Sequence, residues 1–311
     1  MSGMGGALPA CVLVLGLGYS GRHVARLLQA QGVACSGTVR DLAAAPDDGL
    51  IRHRWLAEAP HEADTVGDAV GTALGRAEPG ATLLEAIRCA EAVLCTLPPD
   101  DAGDPALRVL GTALRGSPAL RWVGYLSSTA VYADRQGGWV DASSAADAVD
   151  ATAQRRLLAE RQWRAFASDT GVASAVFRLP GLYGRGRNAL VQLAEGRARH
   201  VVRPGLVFNR LHVEDLATAV VAAMRVAAPD AMYLLADDEP APPQDVLAYA
   251  AQLSGWPMPT TQAWDAPGVS PALQRFYASN KRIDSSAARE ALGWAPRFST
   301  YREGLQDAYP A

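Results

Sequence analysis

The sequence predicts an α/β fold, a doubly wound parallel sheet followed by a smaller C-terminal lobe. Three observations predict it. An apolar run, Cys11–Leu15, closes on a glycine-rich turn. Short apolar runs then alternate with helix-length stretches as far as Leu179. After Pro180 the composition shifts towards Gly, Arg and Pro, which favours irregular loops over regular elements.

Cys11-Val-Leu-Val-Leu15 is continuously apolar, as expected of a strand covered on both faces. Residues 19–31 read as a helix with Val24, Leu27, Leu28 and Gln31 on one face, and Gly32 is placed to end it. Residues 33–39 give a second strand, so the first forty residues make one βαβ unit. Residues 51–56 read as a third strand, 81–90 as a helix, and 92–97 as a strand closed by Pro98-Pro99. Residues 120–127 form the next strand, ending in Ser127-Ser128-Thr129. A helix free of Gly and Pro spans 150–167, and Ala173–Leu179 is the sixth strand. The reading is therefore one domain over 8–179, with a return segment near 207–236 in which Val213–Val226 is a helix packing on the sheet. The rest of 180–311 forms the smaller lobe, with irregular loops across the Pro-dense stretch 237–271. Residues 1–7 read as a disordered Gly-rich tail.

A chain of 311 residues suits one large domain or two joined lobes. Its 49% hydrophobic and 20% charged residues are ordinary globular values. A net charge of −3 gives no reason to expect nucleic acid or an acidic membrane as partner, and no apolar run is long enough to span a bilayer. Cys11, Cys35, Cys89 and Cys95 lie in apolar stretches without metal-ligand spacing, so they read as small core residues. The expected protein is cytoplasmic, a monomer or homodimer, acts on a small molecule and has no metal site.

Gly16-Leu17-Gly18-Tyr19-Ser20-Gly21 fits G-x-G-x-x-G in the context that gives the pattern meaning, after a strand and opening a helix. The first glycine allows the tight turn, the second lets a pyrophosphate approach the backbone, and the third lets helix and strand pack closely. The helix start adds free N–H groups and a positive dipole end. This is the Rossmann arrangement, and it predicts a bound nicotinamide dinucleotide. Leu97 and Pro98, ending the neighbouring strand, join Gly16, Gly18, Tyr19, Ser20 and Gly21 in the expected cofactor set. The second strand ends Thr38-Val39-Arg40-Asp41. An arginine there accommodates a 2′-phosphate and a carboxylate binds a ribose hydroxyl. Arg40 comes first, so NADP is expected, with NAD kept open by Asp41.

Together these segments resemble the short-chain dehydrogenase/reductase superfamily, in its extended branch of NAD-dependent epimerase/dehydratase-like proteins. Besides the loop, the resemblance rests on four segments: Leu126-Ser127-Ser128-Thr129-Ala130-Val131-Tyr132; Arg178-Leu-Pro-Gly-Leu-Tyr-Gly184; Leu211-His-Val-Glu-Asp-Leu216; and Asn280-Lys-Arg-Ile283 with Leu292-Gly-Trp294. It implies a strand-end catalytic serine, here Ser128 with Thr129 as its neighbour. It also implies a tyrosine and, four residues later, a lysine that together handle the proton. Aligned on Ala159-Glu160, those positions hold Thr152 and Arg156. Threonine is a very poor acid near neutral pH, and arginine does not give up its proton but can still donate to a ribose or phosphate. Relatives acting on nucleotide sugars carry a diphosphate-clamping arginine four residues before the motif histidine. Here that position is Phe208, with Arg210 nearby, so a nucleotide sugar is disfavoured.

Tyr183 is a candidate replacement for the missing phenol, against a packing role at the lobe junction. His212 is a candidate acid, against a hydrogen-bonded junction histidine. Arg185, Arg187, Arg197, Arg199 and Arg203 form a basic cluster suited to an anionic group or to a solvated face. Two functions follow: an atypical NAD(P)-dependent oxidoreductase or epimerase acting on a small polar substrate without the Tyr-Lys pair, or a non-catalytic NADP-binding sensor or scaffold.

Overall fold

The computed structural model describes residues 6–55 and 79–309. Residues 1–5 of the expected tail, and position 56 of the expected third strand, lie outside them. The chain opens with β1 (Cys11–Leu15), α1 (Tyr19–Ala30), β2 (Ala34–Val39) and β3 (Ile51–Arg54). It continues with α2 (Ala81–Cys89), β4 (Ala92–Cys95), α3 (Pro105–Arg115) and β5 (Trp122–Ser128). Then come β6 (Trp139–Val140), α4 (Ala151–Thr170) and β7 (Ala173–Leu179). Beyond Pro180 lie β8 (Gly181–Tyr183), α5 (Ala189–Ala194), β9 (His200–Val202), β10 (Arg210–His212), α6 (Val213–Val226) and β11 (Ala231–Leu234). The last elements are α7 (Pro243–Ser254), β12 (Thr261–Ala263), α8 (Pro271–Ala278), β13 (Arg282–Ile283), α9 (Ser286–Leu292) and α10 (Tyr301–Ala308).

Seven strands form one parallel sheet in the order β11-β7-β5-β4-β1-β2-β3. Side chains along β1 alternate between two cores. Val12 and Val14 join Val24, Leu28, Leu216 and Val220 beneath α1 and α6, while Leu13 and Leu15 meet Ile87, Leu110 and Trp163 beneath α2, α3 and α4. This is why the run has no polar position. Past the sheet, Tyr183, Leu193, Leu247 and Tyr301 anchor a third core. The strand order reverses between β1 and β4, and a crevice opens at such a switch point beyond the carboxyl ends of the strands.

Several regions differ from the sequence-based expectation, which also placed neither the sheet strand β11 nor helices α5, α9 and α10. Helix α3 lies where no element was predicted, although Asp104 caps it by accepting from the Ala106 and Leu107 N–H groups and Pro105 opens it. The Pro-dense stretch 237–271 is not all irregular, because Pro243 is the first residue of α7 and Pro271 the first of α8. Proline fits the first helical turn, where its missing N–H is not needed. Among the expected elements boundaries move by a few residues: the expected strand 92–97 ends at Cys95, and α4 runs on to Thr170, where Gly171 stops it at φ +73°.

Candidate functional site

The glycine loop is tied to both neighbouring strand ends. Gly16 N–H donates to Thr38 Oγ1 at 2.8 Å, and Leu17 N–H to the Thr38 carbonyl at 2.8 Å. From the other side, Thr96 Oγ1 donates to the Gly16 carbonyl at 2.6 Å. The three glycines do different work. Gly16 sits at φ +102°, a region side chains avoid, and an added Cβ would lie 2.6 Å from Thr96 Oγ1. At Gly21 a Cβ would lie 2.3 Å from the Gly16 carbonyl oxygen, so only glycine lets α1 pack this closely. At Gly18, among the described residues, nothing lies within 4 Å of such an atom and no side chain caps the start of α1. That open space over an uncapped helix start suits the phosphates of a dinucleotide.

Gly18, Tyr19 and Ser20 are part of the wall of a cavity of about 350 Å³. Thr96, Leu126, Ser127, Ser128, Arg156, the segment from Leu179 to Leu182 and Arg187 complete the wall. Strand end β5, helix α4 and the loop after β7 therefore converge on the glycine loop. Ser128 Oγ accepts from the Ala130 N–H at 3.1 Å, which holds its rotamer and leaves the hydroxyl hydrogen free to donate into the cavity. Arg156 reaches across the sheet end, where Nη1 donates to Tyr125 Oη at 3.2 Å and to the Leu126 carbonyl at 3.0 Å.

Other predicted residues fall elsewhere. Thr129 is buried in the turn Thr129–Val131 behind Ser128 and outside the cavity wall. Leu97 packs against Gly16, and Pro98 is exposed beside it. Tyr183 is not in the wall either: β8 turns it into the third core, where its hydroxyl donates to the Thr300 carbonyl at 3.3 Å. Burial pushes its phenol far above the ordinary range. Thr152 is exposed on the first turn of α4, away from the cavity wall. Of the five arginines in the basic cluster, Arg187 alone belongs to that wall, and it stacks over the Tyr19 ring. Arg185 donates to the Asp307 carbonyl, Arg197 pairs with Glu195, and Arg203 donates to the Tyr277 carbonyl.

His212 is fully buried, with Nδ1 accepting from the Glu214 N–H at 3.3 Å and its ring 4.0 Å from that of Phe298. Burial pushes its pKa down to about 4. Among the described residues its Nε2 and the Tyr19 hydroxyl have no hydrogen-bond partner, and both approach Gly184, where an added Cβ would lie 3.0 and 2.8 Å from them. A base whose folded pKa is depressed favours folding above its unfolded pKa of about 6.5, and that stabilisation is lost as pH falls through about 4. Wild type should thus lose roughly 2–3 kcal/mol relative to His212→Gln across that window. Thermal melts of both proteins at stepped pH check this, and parallel Tm curves would refute it.

A curated relative decides the family. It is a 3-diazoavenalumate denitrifying reductase from Streptomyces sp., 31% identical over 319 residues, which cover 94% of this chain and 98% of the relative. The chain belongs to the short-chain dehydrogenase/reductase superfamily. A solved Silicibacter pomeroyi protein of unknown function shares 35% identity and a TM-score of 0.81 over 96% of this chain and 98% of that one. A Methylobacillus flagellatus protein described as an NAD-dependent epimerase/dehydratase has the same fold, at 22% identity and a TM-score of 0.68 over 96% and 97% of the two chains. No family model matches the chain.

Several wall residues of this superfamily member were not singled out from sequence. Thr96 carried a readable signal, since it follows the β4 strand at the switch point. Pro180, Gly181 and Leu182 entered the sequence reading only within the resembling segment Arg178–Gly184, and their place in the wall depends on how the chain leaves β7.

Proposed function

We propose that the protein is an NADP-dependent reductase of a small polar substrate. The open cradle at Gly18, continuous with a cavity faced by Ser128 and Arg156, is the observation that carries this reading. Gly16, Gly18, Tyr19, Ser20 and Gly21 would hold the pyrophosphate against the start of α1, with Leu97 and Pro98 beside them and Arg156 as a further donor. Bound there, the reduced dinucleotide would supply a hydride. Ser128 would hydrogen-bond the substrate from the end of β5. The reductive direction is favoured over epimerisation by the Streptomyces relative, a reductase of a diazo compound.

NADP preference is proposed through Arg40. Asp41 Oδ1 accepts from the Ala43 N–H at 2.9 Å, so that carboxylate closes its own turn. Arg40 follows the last residue of β2, is exposed, and has no partner among the described residues. A guanidinium on a 2′-phosphate contributes about 1.5–3 kcal/mol, or more than tenfold in affinity. Calorimetric titration of NADPH and NADH into wild type and Arg40→Ala should show that preference, and its collapse in the variant. A wild type that prefers NADH would end the assignment. The exposed Thr152 favours a second reading, a non-catalytic NADP-binding sensor or scaffold. Tight NADPH binding with no oxidation across ketones, aldehydes, imines and diazo compounds would select it.

A further inference from the structure

Of the 29 lysine and arginine residues in the chain, only Lys281 is a lysine, and it is buried at 8% exposure. Burial alone does not select lysine, because Arg178 at 9% exposure is as deep and is an arginine. Their partners differ. Arg178 is matched by the Glu160 carboxylate, whereas Lys281 Nζ donates to two neutral oxygens, the Tyr132 carbonyl and Ser279 Oγ, both at 2.6 Å. Among the described residues, no carboxylate bonds this amine. The acidic groups around it are engaged elsewhere: Asp134 accepts from the Asn280 N–H, Asp147 pairs with Arg135, and Asp150 accepts from the Ala153 N–H at the start of α4. A guanidinium here would be a buried charge that cannot be shed, while an amine can give up its proton.

Lys281 also stands where two parts of the cavity wall are tied together. Ser128 caps the turn Thr129–Val131, and the Tyr132 N–H closes it by donating to the Thr129 carbonyl at 3.2 Å. The bond from Nζ to the Tyr132 carbonyl therefore holds the far end of the turn that Ser128 starts. On its other side, the Lys281 carbonyl accepts from Asn209 Nδ2 at 2.9 Å. The Asn209 carbonyl in turn accepts from the N–H of Gly181, a wall residue, at 3.3 Å. We propose that Lys281 is a positioning residue for Ser128, its ammonium latching the turn that carries this hydroxyl to the segment that supports Gly181. The inference rests on the reductase reading above, in which Ser128 bonds the substrate.

The latch responds to pH. Burial pushes the Lys281 amine down to about 8; Asp134, Asp150 and Asp147 oppose the fall and Arg135 adds to it. As an ammonium it makes charge-assisted bonds, roughly twice as strong as those of the neutral amine. The turn is thus held firmly below about pH 8 and loosens as the proton leaves above it. Ser279 follows the last residue of α8, so the same amine fastens the end of that helix.

The single lysine makes the test direct. Protein grown on lysine carrying carbon-13 at the ε position gives one lysine signal, and its shift against pH reads this amine alone. The midpoint should fall near 8. Hydrogen exchange then follows the turn, over a peptide spanning 126–133 that carries the Ala130 N–H bonded to Ser128. Corrected for the intrinsic pH dependence of exchange, that peptide should open about tenfold faster above the midpoint than below it. Lys281→Met should exchange at the fast rate at every pH, and Lys281→Arg, which stays charged, should show no step. Ser279→Ala keeps the lysine but removes one acceptor of the ammonium, so midpoint and step should move down together. A midpoint at the ordinary lysine value of about 10.4, exchange without a step at the lysine's own midpoint, or a step that persists in Lys281→Met or Lys281→Arg would each overturn the proposal. Calorimetry with NADPH keeps the two readings apart. Lys281→Met should bind it as wild type does, and a wild type that binds no dinucleotide loses the reductase reading whatever the turn does.

Discussion

Glu160→Ala is expected to lower the stability of the fold by about 3–5 kcal/mol, because it strands a buried guanidinium. Arg178 on β7 is 9% exposed and Glu160 on α4 is 5% exposed. Arg178 Nη2 donates to Glu160 Oε2 at 2.7 Å and Nε to Oε1 at 3.2 Å, a bidentate pairing across the helix–sheet interface. Arg178 Nη1 also donates to the Tyr132 hydroxyl at 2.9 Å, and Ser127 donates to Glu160. With the carboxylate gone, Arg178 keeps its charge, and neither Tyr132 nor Ser127 offers an anion to replace it. The exposed pair Arg164–Asp230 is the natural comparison, since its side chains are 52% and 53% exposed. Arg164→Ala should cost less than about 1 kcal/mol. Urea unfolding of the two variants measures the contrast, and similar losses for both would show that the buried pair contributes no more than a surface one. Ser127 adjoins Ser128, so the same carboxylate helps set the end of β5 that faces the cavity.

The parts of the fold that were legible in sequence are those where one physical demand dominates. β1 faces two cores and so admits no polar side chain, and the glycine loop must turn, approach and pack within six residues. The limits of β7 and α6 were also read correctly, because Pro180 follows one and an apolar helical face defines the other. Helix α3 was missed although Asp104-Pro105 is a helix-start signal, because the Pro98-Pro99-Asp100-Asp101 run before it reads as loop. Proline density was taken as irregularity in the C-terminal lobe, where Pro243 and Pro271 instead open helices. Side-chain destinations were hardest to read. Tyr183 and Arg156 have equal claims in sequence, yet β8 sends the first into a core and α4 brings the second to the cavity.

Gly18→Val is expected to remove dinucleotide affinity, by about 100-fold or more, while leaving the protein folded. The other two loop glycines are built into the backbone. A valine at Gly16 would have to adopt φ +102°, and one at Gly21 would drive its Cβ into the Gly16 carbonyl. Both substitutions should therefore destabilise the first βαβ unit itself. Gly18 sits at φ −75° and ψ −159°, an extended conformation open to any residue, and among the described residues nothing lies within 4 Å of an added Cβ. A Cβ there meets no atom of the described residues and enters the space above the start of α1. If that space is where the pyrophosphate lies, valine displaces it and blocks its approach to the first N–H groups of the helix. The measurement pairs thermal melting with calorimetric titration of NADPH for Gly16→Val, Gly18→Val and Gly21→Val. Gly18→Val should melt within a few degrees of wild type and bind nothing measurable, whereas the other two should melt early. A Gly18→Val protein that is folded and binds NADPH as wild type does would place the cofactor somewhere other than this cradle.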